Sequence, residues 1–242
     1  MLAVLSDIHS NLHALDAVLA ACRRRAVTGY ACLGDIVGYG AFPAECLDRI
    51  RSLGCPVVQG NHDAYVASGR LDSDISPLAR AGVEFSIAHL SPEDRRWLAT
   101  LPLQLRLSKA VTLVHSSLHE PEEWHYVRIS RLAEDSFEHQ ETPVCFFGHT
   151  HVSQIFLRRP NERPESLNRE NIHFDRGECY LVNPGSVGQP RNGDSQAQFG
   201  LFDEEKMTLE FAHVPYDVEG AIKAIEKAGL PHQLGERLRE GY

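Results

Sequence analysis

The stretch "LAVLSDIHSNLHALDAVLAACRRR", residues 2–25, decides the architecture. Leu2–Leu5 is a short apolar run of strand type. A polar break, Ser6 to Asn11, follows it. Leu12, Leu15, Val18, Leu19 and Cys22 then recur at the spacing of one helical face. The unit repeats downstream. Tyr30–Leu33 reads as a second strand, Pro43–Leu53 as a second helix with Pro43 in its first turn, and Cys55–Val58 as a third strand. Strands alternating with helices predict parallel βαβ units with right-handed crossovers.

The middle of the chain reads as more helical. In "SPEDRRWLATL", Ser91 is the expected N-cap, Pro92 the first helical residue and Asp94 the reciprocal capping partner. "QLRL" and "VTLVH" form an expected hairpin about Ser108, Lys109 and Ala110. An amphipathic helix, "ISRLAEDSFEHQ", precedes the strands "VCFFG" and "QIFLRR". Residues 158–178 are polar, contain two prolines and lack periodicity, so they are expected to form an exposed, partly mobile excursion. Three further strands, "CYLVNPGSVG", "AQFGLFD" and "MTLEFAHV", lead to a closing helix, "VEGAIKAIEKAGL", with Gly229 at its end. Neither an internal repeat nor a linker is visible. Residues 1–242 are therefore expected to form a single α/β domain with two packed sheets covered by helices.

Composition narrows the function. The 242 residues are 43% hydrophobic and 24% charged, as in ordinary water-soluble proteins. A net charge of −9 excludes a global positive field for nucleic acid or an anionic membrane, so no bulk nucleic-acid binding is expected. No apolar run reaches the length of a membrane span. Six cysteines are scattered without a C-x-x-C pair, and Cys32 and Cys145 lie in apolar runs. With no signal-peptide pattern at Met1, this predicts a reduced, cytoplasmic protein. Oligomeric state is not legible.

The polar residues fall at the strand ends. Asp7 and His9 follow the first strand, and Asp35 the second. Asn61, His62 and Asp63 follow the third, in "GNHD", a string that also suits a simple turn. His115 ends the hairpin strand, and His149 and His151 end "VCFFG" in "GHTH". In open α/β sheets, ligands gather beyond the carboxyl ends of strands. Mixed carboxylate and imidazole donors without thiolate suit Mn, Fe, Zn, Co or Ni.

The ordered set D-x-H, G-D, G-N-H-D, H and G-H-T-H resembles the calcineurin-like metallophosphoesterase superfamily. The resemblance runs from Asp7 through "NPGSVGQPR" to "VPYDVEGAI", and is closest to the small prokaryotic YfcE-like and diadenosine tetraphosphate hydrolase-like branch. It implies a two-sheet αββα sandwich and two divalent transition metal ions, Mn2+ favoured. Asp7, His9, Asp35 and His151 would hold one ion, and Asp35, Asn61, His115 and His149 the other, with Asp35 as the bridge. His62 would protonate the leaving oxygen, and Asp63 would orient His62 or its loop. Arg191 and Asn11 are the expected substrate contacts, although Arg191 also fits a surface arginine in a Gly-Pro loop.

The chain departs from the phosphoprotein phosphatases of that superfamily. "GDIVGYG" carries Tyr39 and no arginine, and "GNHD" replaces G-N-H-E. Ser116 follows His115 where glycine is usual, and His119 stands where arginine is common. The resemblance therefore implies hydrolysis of a small-molecule phosphodiester, nucleotide or dinucleoside polyphosphate by metal-activated water. The alternatives are a phosphomonoesterase of the same fold, or an inactive metal-binding regulatory protein.

Overall fold

The first apolar run forms β1 (Leu2–Leu5), and the amphipathic stretch after it forms α1 (Leu12–Arg24). They are followed by β2 (Gly29–Cys32), α2 (Pro43–Ser52), α3 (Asn61–Ser68), α4 (Pro77–His89) and α5 (Pro92–Ala99). The hairpin is β3 (Gln104–Arg106) and β4 (Val111–Val114). Then come a single 3-10 turn (Pro121–Glu123), α6 (Ser130–Glu138), β5 (Val144–Phe146), β6 (Gln154–Arg158), β7 (Glu165–Leu167) and β8 (Asn171–His173). The chain continues as β9 (Cys179–Asn183), β10 (Ala197–Asp203), β11 (Thr208–Val214), α7 (Val218–Lys227) and α8 (Gln233–Glu240). The computed structural model describes every residue except Asp74 and Glu170.

Two mixed sheets result, one ordered β2-β1-β10-β11-β8 and the other β3-β4-β5-β9-β6-β7. β1 and β2 run parallel, with Leu2 opposite Gly29 and Leu5 opposite Cys32. β4, β5 and β9 are also parallel, with Leu113 opposite Phe146 and Phe146 opposite Val182. The sheets bury Val4, Leu33, Val58, Leu113, Phe146, Val182 and Phe202 in one shared core. Phe146 of β5 meets Phe202 of β10 edge to face at 5.5 Å, which locks the two layers in register. Leu15, Val18, Leu47 and Ile50 seat α1 and α2 on a second core with Ala3, Leu5 and Phe199. Ala133 and Phe137 of α6 cover the other sheet with Phe147 and Phe156. This is the two-sheet sandwich with helices outside. Among the described residues, no helix is long and apolar enough to cross a membrane.

Local signals held where they carried stereochemistry. Ser91 accepts from the Asp94 amide at 3.1 Å while Asp94 accepts from the Ser91 amide at 3.0 Å. Gly229 ends the α7 turn with φ 73°.

Two readings need correction. Cys55–Val58 is no strand. It contributes one parallel bridge, Cys32 to Val57, because Pro56 has no N–H to donate and the Gln59 amide turns away to the Pro102 carbonyl. The 158–178 excursion is not irregular throughout: β7 pairs with β6 in one sheet, and β8 pairs with β11 in the other. Each is a three-residue edge strand, too short to show an alternating pattern.

Candidate metal centre and its cleft

The strand ends converge as the sequence suggests. Asp7, His9, Asp35 and His151 offer ligand atoms within 4.8 Å of one another, and so do Asp35, His115 and His149. Every one of these residues is buried. Asp35 belongs to both groups. Its Oδ2 lies 3.5 Å from His9 Nε2 and 3.5 Å from His115 Nε2, while its Oδ1 accepts the His62 amide at 2.8 Å. Asn61 Oδ1 stands 3.2 Å from His115 Nε2, alongside the second group. Asp7 Oδ1 is 3.3 Å from His151 Nε2.

The backbone makes this convergence possible. Asp7, His9, Asp35, His149 and His151 all adopt left-handed conformations, with φ of 52°, 48°, 51°, 65° and 61°. Each strand ladder stops and the chain turns its polar side chain toward the centre. The loop after β2 and the segment after Val58 press together there. A Cβ at Gly60 would sit 2.2 Å from Asp35 Oδ1 and 2.4 Å from the Asp35 amide nitrogen. Gly60→Ala is therefore expected to displace Asp35, at a cost of about 1–3 kcal/mol in stability. Thermal unfolding and metal content check this. An unchanged melting temperature with full metal uptake would show that the loops can yield.

The donors are in the form an ion requires. Three imidazoles present Nε2 to the centre, because Nδ1 faces a backbone carbonyl in each. His9 pairs with the Val37 oxygen at 3.1 Å, His115 with Leu33 at 2.7 Å and His151 with Gln189 at 2.6 Å. Such outer partners fix tautomer and ring orientation in metal sites. His149 Nε2 is buried and has no hydrogen-bond partner among the described residues. His9 Nε2 and His151 Nε2 face each other at 3.1 Å. Ligands about 2.1 Å from an ion lie roughly 3.0–3.5 Å from each other, so these spacings suit a shared cation.

Electrostatics agree. Burial pushes His9, His149 and His151 well below the usual histidine range, leaving neutral rings with free lone pairs. Burial alone would lower His115 too, but the Asp35 carboxylate beside it raises it to about 9. Burial would raise Asp35, yet His115 and His62 pull it well below the usual carboxylate range. Asp7 is pushed up to about 6, chiefly by burial. Asp35 and His115 thus stabilise each other's charged forms, a role that a bound cation would take over.

The remaining sequence candidates divide. His62 is buried, its ring 4.8 Å from His9, with no hydrogen-bond partner for Nδ1 among the described residues, and burial lowers it to about 4. Asp63 is committed to backbone amides. Its carboxylate accepts from the amides of Ile36, Val37 and Gly60 at 3.0, 3.3 and 3.2 Å, tying the Asp35 loop to the first turn of α3. "GNHD" is accordingly a helix N-terminus rather than a free turn. Asn11 is engaged within the fold. Its Oδ1 caps α1 through the Ala14 amide, and its Nδ2 donates to the Gly188 carbonyl and the Tyr216 hydroxyl, so both functional atoms are occupied. Arg191 lies near the centre. Its guanidinium is 5.9 Å from the Tyr39 ring and donates to Gln189 Oε1 at 2.8 Å.

Sequence reading noted Tyr39 only as a replacement for arginine and passed over Trp124 and Tyr126. Tyr39 packs 4.6 Å from both His9 and His62. Tyr126 stacks on His149 at 4.0 Å, and Trp124 meets His115 in a T-shaped contact at 5.9 Å. With Asn61, His62 and His149 they line a cleft of about 370 Å³ that opens from the centre to solvent. The available signal was two aromatic residues inside the polar run "PEEWHY".

Fold and centre together define a phosphoester hydrolase that works with metal ions. The chain belongs to the calcineurin-like phosphoesterase superfamily, whose domain model matches residues 1–207. The uncharacterized protein MJ0912 of Methanocaldococcus jannaschii is 38% identical, over 98% of this chain and 97% of the relative. The crystal structure of a metallophosphoesterase from Sphaerobacter thermophilus superposes with a TM-score of 0.86 at 36% identity, covering 100% of this chain and 99% of that one. Phosphodiesterase YfcE of Escherichia coli is 23% identical, over 84% of this chain and 88% of the relative.

Proposed function

We propose that the chain is a dinuclear-metal-dependent phosphodiesterase acting on a small-molecule ester, with residues 1–242 working as one domain. The observation that carries this reading is the Asp35 carboxylate shared by both donor groups. Asp7, His9 and His151 complete the first site, and Asn61, His115 and His149 the second. When bound, the ions supply an activated water and neutralise phosphoryl charge. The chain's own residues do the rest. The Val37, Leu33 and Gln189 carbonyls hold three imidazoles in the ligating tautomer. Asp63 clamps the two loops that carry Asp35 and His62. Arg191 places its positive charge beside the phosphoryl oxygens. Burial lowers the proton affinity of His62, and an anionic ester entering beside it raises that affinity again. The ring then takes a proton from solvent and passes it to the departing oxygen.

Mn2+ is the favoured ion, with Fe, Zn, Ni or Co compatible with the same donors. The six unpaired cysteines are compatible with a cytoplasmic setting. Hydrolysis of bis-p-nitrophenyl phosphate tests the reading. Chelation should abolish it and Mn2+ should restore it. At 100 times its dissociation constant an ion adds about 2.7 kcal/mol, or about 5–10 °C in melting temperature for a chain of this size. Metal-independent turnover, or no thermal shift with any divalent ion, would sink the proposal.

A further inference from the structure

The cleft above the centre is rich in aromatic side chains: Tyr39, Tyr65, Trp124 and Tyr126 all line it. Its volume of about 370 Å³ falls in the range, roughly 300–1,000 Å³, of small-ligand sites. No lysine or arginine is among the described residues that line it; the charged side chains there are Asp72 and Glu123. Arg191 lies 5.9 Å from the Tyr39 ring and Arg128 lies 4.4 Å from the Tyr126 ring, so the nearest guanidinium groups sit behind the lining rather than in it.

The wall is held at a backbone cost. Trp124 has φ 54° and Tyr39 φ 55°, a left-handed conformation that bulky residues adopt only when their surroundings impose it. The loop bearing Trp124 is left-handed at Glu120 as well, with φ 45°, on the other side of the short 3-10 turn. Trp124 is partly buried and Tyr126 is 44% exposed, so this wall is open to a ligand. Arg128 covers Tyr126 at 4.4 Å, and His149 stacks on it, which leaves Trp124 as the broader platform.

We propose that the cleft takes the base of a nucleoside ester carrying a single phosphoryl group, an assignment that rests on the phosphodiesterase reading above. The phosphoryl group sits at the floor, and the base lies against Trp124. The acidic rim accepts hydrogen bonds from exocyclic amines and repels a longer phosphate chain. Long dinucleoside polyphosphates are thereby disfavoured.

Calorimetry on the Mn2+-loaded protein tests this with adenosine 5′-monophosphate against ribose 5-phosphate, which differ only in the base. The monophosphate should bind at least about ten-fold tighter, the yield of one stacked base. Trp124→Ala should erase that preference by weakening the monophosphate alone, and Trp124→Phe should retain most of it. Diadenosine tetraphosphate should bind no tighter than the monophosphate. Equal binding of the two probes by the native protein overturns the cleft, as does a preference that survives Trp124→Ala. Ten-fold tighter binding of the tetraphosphate overturns the single-phosphoryl assignment. Turnover of bis-p-nitrophenyl phosphate, measured in parallel, separates the two ideas. Turnover without base preference removes the cleft assignment alone. Base preference without turnover supports the cleft and removes the phosphodiesterase.

Discussion

Asp35→Asn is expected to lower kcat by about a thousand-fold and to lose metal from both sites, because an ion's charge stabilisation is worth several kcal/mol. Asp35 Oδ1 is already committed to the His62 amide at 2.8 Å. An asparagine keeps that bond by placing its oxygen there. Its NH2 group must then occupy the position of Oδ2, 3.5 Å from both His9 Nε2 and His115 Nε2. A donor would point at the place where two cations need an anion. Asp7→Asn should cost less. Asp7 lies in one donor group only, and its oxygens also accept from the Ser6 hydroxyl and the His149 amide, interactions an amide can partly keep. Elemental analysis and kcat on bis-p-nitrophenyl phosphate, for both variants, give the answer. Two metals retained with an unchanged rate in Asp35→Asn would remove the shared-ligand role.

His62→Ala should keep its metals and its fold yet lose about 10²–10⁴-fold in turnover on substrates with poor leaving groups. The His62 ring is absent from both donor groups, and it is the His62 backbone amide, retained in alanine, that binds Asp35. The loss should shrink for p-nitrophenolate, which departs without a proton. kcat on a nitrophenyl ester is to be compared with kcat on an alkyl ester. Equal losses on both would make His62 a phosphate-positioning residue, with the proton coming from elsewhere.

Most strands, most helices and the meeting of five polar segments were legible because each rests on a local rule. Leu12, Leu15, Val18, Leu19 and Cys22 mark a helix face whatever surrounds them, and Ser91 with Asp94 caps a helix by itself. The failures were non-local. The Cys55–Val58 run looks like a strand, but one proline limits its pairing to a bridge. β7 and β8 exist because existing sheet edges template them, and nothing in their own three residues says so. Within the centre, residue types announced their chemistry, whereas the Val37, Leu33 and Gln189 carbonyls that set the tautomers belong to the backbone and leave no mark in sequence. Asn11 also caps a helix, a use that its residue type alone does not single out from a ligand contact. Trp124 and Tyr126 were overlooked because aromatic side chains ordinarily signal core.

The left-handed backbone at Asp7, His9, Asp35, His149 and His151 bears on which sequences this fold can explore. Asparagine, aspartate and histidine enter that conformation far more readily than other side chains, and β-branched residues are nearly barred from it. The residue types that bind metal are thus also those that the local geometry tolerates. A descendant that abandoned catalysis would drift at these positions mainly toward asparagine or glycine, and its strand ends would still look like a metal site. Five such positions occupied by isoleucine, valine or threonine would instead mark a chain whose strands end differently, and so a different fold.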